Sequence, residues 1–223
     1  MTETIAREEI CRIGKSLFDR GYVHGSAGNI SVRLVNGFLI TPTDACLGFL
    51  DPAGLARIDA AGQQVDGDRA SKTLVLHRQI YAAAAAFEPD VRCIVHTHSR
   101  HCVQLSLTCT DAELLPPITP YFAMKVGHVP LIAYRRPGDP EVADLVAAQI
   151  AQHGRGGRPL RAVMLARLGP TVWSTSPAAA MAVLEELEET ARLVCGLRAL
   201  GHEVVPLDDA EIDSLRRVFD ARW

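Results

Sequence analysis

A chain of 223 residues that is 48% hydrophobic and 22% charged can bury a core as one domain of ordinary size, which excludes collagen-like, low-complexity and disordered classes. Its 23 Lys and Arg against 26 Asp and Glu give a formal charge of -3, so no global field points to nucleic acid or an anionic membrane and any anion must be held locally. Apolar runs break well short of the roughly 18 to 20 residues of a spanning helix, and Met1–Asp19 lacks the apolar stretch of a secretory leader, which predicts a cytoplasmic protein.

Ala6–Arg20 carries Ile10, Ile13, Leu17 and Phe18 at helical spacing, with Thr4 as a candidate cap, and predicts a first amphipathic helix. Gly25–Asn29 is a glycine-rich turn leading into a strand over Ile30–Leu34. The Asn36-Gly37 pair then signals a hairpin to a second strand over Phe38–Thr41. Asp51–Gly67 is turn-rich with a strand at Leu55–Asp59, and Ser71–Ala86 reads as a helix. Arg92–Val95 is a short apolar strand running into His96-Thr97-His98, and Ser99–Leu107 begins another helix. Pro116, Pro117 and Pro120 mark an extended loop. Gly127–Tyr134 predicts a strand, Pro140–Ala151 a helix, and Gly154–Pro159 a flexible surface loop. Ala162–Leu165 and Thr171–Trp173 form a closing strand pair. Ser176-Pro177 opens a long helix to Leu200, with Met181, Leu184, Leu187 and Val194 inward and Glu185, Glu186, Glu188 and Glu189 outward. Strands and helices mix without a strict βαβ rhythm, so the expectation is a single α/β domain over residues 1–223 with a central, largely antiparallel sheet flanked by helices.

The six cysteines are scattered through apolar sequence with no CxxC, which suits reduced, mostly buried thiols rather than a disulfide framework. The strongest chemical signal is His96-Thr97-His98. Residues at i and i+2 of a strand face the same way, so both imidazoles can reach one cation, although histidines hydrogen-bonded at a strand end have the same spacing. A third ligand is needed, and His77, His101, His128, His24, Asp44 or a cysteine are candidates by residue type. A second signal joins the turn Gly25–Asn29, Thr41-Pro42-Thr43-Asp44 and Ser71-Lys72, whose backbone N–H groups, hydroxyls, amide and ammonium are the groups that hold a phosphate or carboxylate. Arg135, Arg136, Arg155 and Arg158 read as solvated surface charge, His101 and His202 as surface or capping residues, and Cys46 as a small buried side chain.

Taken together, Gly25–Ser31, Ile40–Thr43, Ser71-Lys72 with His77 and Tyr81, His96–Ser99 and Glu186–Ala191 resemble the class II aldolase/adducin family, in order over nearly the whole chain. Within it, Cys46–Gly48, Thr119–Tyr121, Val129–Leu131 and Tyr134–Asp139 are most similar to the 3-oxo-tetronate 4-phosphate decarboxylase group. The resemblance implies a three-layer α/β/α homotetramer with sites at subunit interfaces. It also implies a divalent metal ion, zinc with iron or manganese as alternatives, and chemistry on a small oxo or hydroxy acid or sugar-acid phosphate through a metal-stabilised enediolate. By the same resemblance His96 and His98 are metal ligands, and Asn29, Thr43 and Ser71 hold phosphate. Tyr121 matches a tyrosine that reaches a neighbouring subunit's site; Lys72, by its own chemistry at the start of a helix, is positioned to hold a carboxylate or phosphate. Three positions depart from the pattern: Leu168 stands at the third histidine, Thr73 at the acid/base glutamate, and Asp44 at a phosphate-loop glycine. The expectation is therefore a divergent metal-dependent lyase centred on His96 and His98 with Tyr121, Lys72 and Thr73 at the catalytic positions. The alternatives are a non-catalytic member used for binding or assembly and a repurposed non-haem, oxygenase-like metal enzyme completed by Asp44 or His128.

Overall fold

The computed structural model describes residues 1–223, and its helices and strands organise around one eight-stranded sheet. In chain order the elements are α1 (Glu3–Asp19), β1 (Asn29–Leu34), β2 (Gly37–Ile40), β3 (Ala56–Ile58), β4 (Gln64–Asp66), α2 (Leu74–Ala84), β5 (Cys93–His96), α3 (Arg100–Ser106), a π-helical turn at Phe122–Val126, β6 (Leu131–Ile132), α4 (Glu141–Arg155), β7 (Ala162–Leu165), β8 (Gly169–Ser174), α5 (Pro177–Ala199) and α6 (Asp209–Phe219). The strand order is β4-β3-β2-β1-β5-β8-β7-β6, antiparallel throughout except for the β6–β7 pair.

The alternation of side chains along each strand separates two cores. Cys93 and Val95 of β5, with Ile30 and Val32 of β1, face a large apolar cluster built with α1, α3 and α5. Ile94 of β5, with Val163 and Trp173, faces a second cluster supplied by α2 and α4. Helices thus cover both sides of the sheet in three layers. In α1 the apolar residues Ala6, Ile10, Ile13 and Leu17 recur at helical spacing and are all buried. The helix starts earlier than the sequence predicts, because Thr2, not Thr4, accepts the Ile5 N–H. Ser176 accepts from Ala179 N and Pro177 occupies the first turn of α5, as that dipeptide predicts.

Several expectations are corrected. The strand expected over Gly127–Tyr134 is only two residues long, because Val126 ends a π-helical turn and Tyr134–Gly138 is irregular. Gly154–Pro159 is not wholly loop, since α4 runs on to Arg155. The sheet also contains β4, an exposed edge strand inside the turn-rich segment, and α6 follows α5. Three of the six free cysteines are buried and three half-buried. No helix is long and apolar enough to cross a membrane.

Glu188 is the largest correction within a correctly predicted helix: expected on the wet face of α5, it is 3% exposed. Its carboxylate accepts the backbone N–H groups of His101 and Cys102 and lies 2.8 Å from His101 Nδ1. It therefore caps α3 from a neighbouring helix, where the positive end of α3 favours an anion.

Candidate active site

The end of β5 is the geometric centre of the site. Register places Asn29 of β1 opposite His96 and His96 opposite Thr171 of β8, so three polar side chains line up across three adjacent strands. The strand stops at His96, and His98 lies just beyond it, yet the two rings remain neighbours at 5.2 Å between centroids. Two glycines let backbone close in on this segment. A Cβ on Gly28, whose φ is +86, would come within 2.9 Å of the His96 carbonyl oxygen, and one on Gly169 would fall on the Thr97 carbonyl oxygen.

His96 Nδ1 lies 3.0 Å from the Pro170 carbonyl, which can only accept, so the proton sits on Nδ1 and Nε2 carries a free lone pair. Burial, reinforced by neighbouring His98, lowers the His96 pKa to about 3, and burial followed by His24 lowers that of His98. Both rings are neutral near pH 7, the form in which imidazole binds a metal. His24 stands edge-on to His98 with centroids 6.4 Å apart.

His77 does not supply a third ligand. Its Nε2–H donates to Asn29 Oδ1 at 2.6 Å and its Nδ1 accepts from the Ser31 hydroxyl at 2.7 Å, while Tyr81 OH lies 2.9 Å from the same Ser31 oxygen. Burial lowers its pKa to about 3, so it stays neutral and fixes the orientation of Asn29. With its carbonyl oxygen engaged, Asn29 has its NH2 left for the pocket it lines.

That pocket, about 480 Å³, is lined by Asn29, Thr43, Ser71, Lys72, Thr73, His96 and His98, so it gathers every site residue named from the sequence except Tyr121. Tyr121 is 58% exposed, outside the pocket, with Lys125 Nζ over its ring at 5.2 Å. The three departures line the pocket too. Asp44 reaches Lys72 Nζ at 4.0 Å and has φ +59, the left-handed conformation that glycine adopts most readily. Ser71 Oγ and Thr73 Oγ1 share a hydrogen bond at 2.9 Å, and Leu168 adds an apolar wall. Arg136, expected as plain surface charge, also lines the chamber from the loop before α4, whereas Arg135 is paired with Glu141. His128 cannot complete this site: it packs against Trp223 and forms a separate group with Glu113 and His153 that could hold a metal ion.

The chain belongs to the class II aldolase/adducin family: the model of the class II aldolase and adducin N-terminal domain matches residues 8–195. A 3-oxo-tetronate 4-phosphate decarboxylase from Cupriavidus necator is 51% identical over 100% of this chain and 99% of its own length. One of the same name from Escherichia coli K12 is 40% identical over 86% of this chain and 87% of its own. Among solved structures, YgbL from Klebsiella pneumoniae superposes with a TM-score of 0.85 at 40% identity, covering 97% of this chain and all of its own. An L-fuculose 1-phosphate aldolase superposes at 0.80 with 25% identity, covering 99% and 98%.

Proposed function

We propose that the protein is a carbon–carbon lyase that decarboxylates a phosphorylated 3-oxo sugar acid of the 3-oxo-tetronate 4-phosphate class. The observation that carries this reading is the single chamber in which two neutral imidazoles meet an amide, four hydroxyls and an ammonium group. The full-length relative named as such a decarboxylase supplies the substrate class.

Asn29, Thr43, Ser71 and the Gly25–Asn29 turn offer donors to the phosphate, and Lys72 and Arg136 offer positive charge to phosphate or carboxylate. His96 Nε2 and His98 fit a divalent cation as two nitrogen donors, while Leu168 offers none, so the remaining positions fall to water or substrate oxygens. Such a cation, zinc with iron or manganese as alternatives, would polarise the substrate carbonyl.

Thr73 favours decarboxylation over aldol cleavage. Cleaving an aldol requires a base to take a hydroxyl proton, and a threonine hydroxyl does not titrate near neutral pH. A 3-oxo acid needs no such base. Its carboxylate is already ionised, the bond to the adjacent carbon breaks, carbon dioxide leaves, and the electron pair moves onto the carbonyl oxygen as an enediolate. One proton returned to carbon completes the reaction, and the Lys72 ammonium in the chamber can deliver it. We further assign Tyr121, exposed and outside its own pocket, to the pocket of a second copy in a homotetramer.

The test is carbon dioxide release from 3-oxo-tetronate 4-phosphate by zinc- or manganese-supplemented protein, with L-fuculose 1-phosphate as the aldol comparison. Turnover of the first alone, lowered roughly a hundredfold or more by His96→Ala, is the expected result. Binding of the acid without carbon dioxide release would overturn the reading in favour of a non-catalytic member.

A further inference from the structure

Beyond the pocket, Glu113, His128 and His153 converge where three separate parts of the chain meet. Glu113 lies in the loop after α3 and bridges to Pro130; His128 precedes β6; His153 is in the last turn of α4. Each offers one donor atom, and these atoms all lie within 4.8 Å of one another.

The hydrogen bonding leaves this group short of a positive charge. His153 Nδ1–H donates to the Gln149 carbonyl at 3.0 Å, so in the neutral ring Nε2 is a bare lone pair. That lone pair faces Glu113 Oε1 at 3.8 Å, too far for a hydrogen bond, so two acceptors confront each other across a gap. The other carboxylate oxygen is fixed by the Val129 N–H at 2.7 Å, which holds Oε1 in place. His128 Nδ1 lies 3.2 Å from the same Oε1, which can only accept, so without an ion the Nδ1–H donates there and the buried Nε2 has no partner; an ion on Nδ1 would move that proton to Nε2. Trp223 stacks on the His128 ring at 4.4 Å.

We propose that Glu113, His128 and His153 form a second, structural site for a divalent transition-metal ion of the zinc type, independent of the His96/His98 pocket. Two imidazoles and a carboxylate are a donor set for such ions. Bonds of roughly 2.0 to 2.1 Å in tetrahedral geometry imply donor–donor separations of about 3.4 Å, and the two separations from Glu113 Oε1, 3.2 Å to His128 and 3.8 Å to His153, bracket that value. The Gln149 contact fixes the His153 tautomer as a supporting carbonyl does at a metal site. Val142 and Ala143 near the start of α4 line the pocket, while His153 lies roughly 15 Å further along the same helix at 1.5 Å per residue. The ion would staple the loop after α3 to the end of α4 and, through the His128–Trp223 stack, to the segment beyond α6.

The experiment equilibrates tag-free His96→Ala/His98→Ala protein with zinc chloride, removes free metal by gel filtration, and measures zinc per chain together with the shift in melting temperature. The expected result is close to one zinc per chain and a zinc-dependent rise in melting temperature, both abolished when His153→Ala or Glu113→Gln is added to the double variant. Because His153 sits at a helix end, its loss should leave the zinc-free circular dichroism spectrum unchanged. No zinc in the double variant, or unchanged zinc after either addition, overturns the proposal.

Discussion

At Asp44 the backbone keeps a conformation suited to glycine while the side chain adds a carboxylate to a pocket also lined by Lys72 and Arg136. Left-handed backbone costs a non-glycine residue roughly 1–2 kcal/mol, less for Asp than for most. Asp44→Gly should therefore raise the urea midpoint slightly. Removing the negative charge should also lower the inhibition constant of inorganic phosphate by about tenfold, read by competition against a small-acid substrate or by calorimetry. Equal phosphate affinity in both proteins would mean that Lys72 already neutralises the carboxylate across their 4.0 Å separation. Glu188 offers a second test. Glu188→Ala strands the N–H groups of His101 and Cys102 and should cost roughly 2–4 kcal/mol, measured by urea unfolding, because each buried donor left without a partner costs about 1–3 kcal/mol. Glu188→Gln, which keeps an acceptor, should cost less.

Among the elements, the β7–β8 hairpin bears most directly on the site. Gly169 opens β8 at φ +143 against the Thr97 backbone, and Pro170 and Thr171 then present the acceptors that orient His96. Gly169→Ala should unfold the protein or cost at least about 3 kcal/mol, since the obstacle is main chain that cannot step aside. Circular dichroism melting and metal content of the same sample would report it together. The β1–β2 hairpin was legible because Asn36-Gly37 encodes its turn locally, and α1, α2, α4 and α5 because their buried residues repeat every turn. β4 carries no buried residue and so has no pattern to read. α6 had a readable signal in its capping box, Asp208 with Glu211, although Ile212 is its only buried side chain. The same limit applies at the site. His96, His98, Asn29, Thr43, Ser71 and Lys72 could be named from short motifs. The engagement of both His77 nitrogens, the inward turn of Glu188 and the meeting of Glu113, His128 and His153 depend on tertiary packing that no local motif records.

For the molecule as a whole, two fully buried neutral histidines make stability depend on pH. His77 and His96 have pKa values of about 3 in the fold against 6.5 for an ordinary histidine. The unfolded chain thus binds more protons between those values, and the stabilising contribution is complete above pH 6.5 and shrinks as pH falls toward 3. Metal-free protein moved from pH 7.5 to 5.5 should lose about 1.4 kcal/mol per histidine, roughly 3 kcal/mol in all, seen as a lower urea midpoint. A loss of only half that size would mean that one of the two rings is not held neutral by the fold, and no change would mean that neither is.

The strand order also has a consequence for how the protein is made. β1 and β2 are joined by a tight turn and can pair as soon as both have been synthesised, and β5 can then add to β1, but the other edge of β5 waits for β8, whose Ser174 pairs with Cys93. Pairings so distant along the chain form late, because a long loop must close before they repay its entropy. The His96–Pro170 contact therefore cannot form on the ribosome until most of the polypeptide has emerged, and a nascent chain that already carries both His96 and His98 still lacks the carbonyl that sets which nitrogen is free. Competence for the proposed cation capture would follow the completion of β8 rather than the synthesis of the histidines themselves.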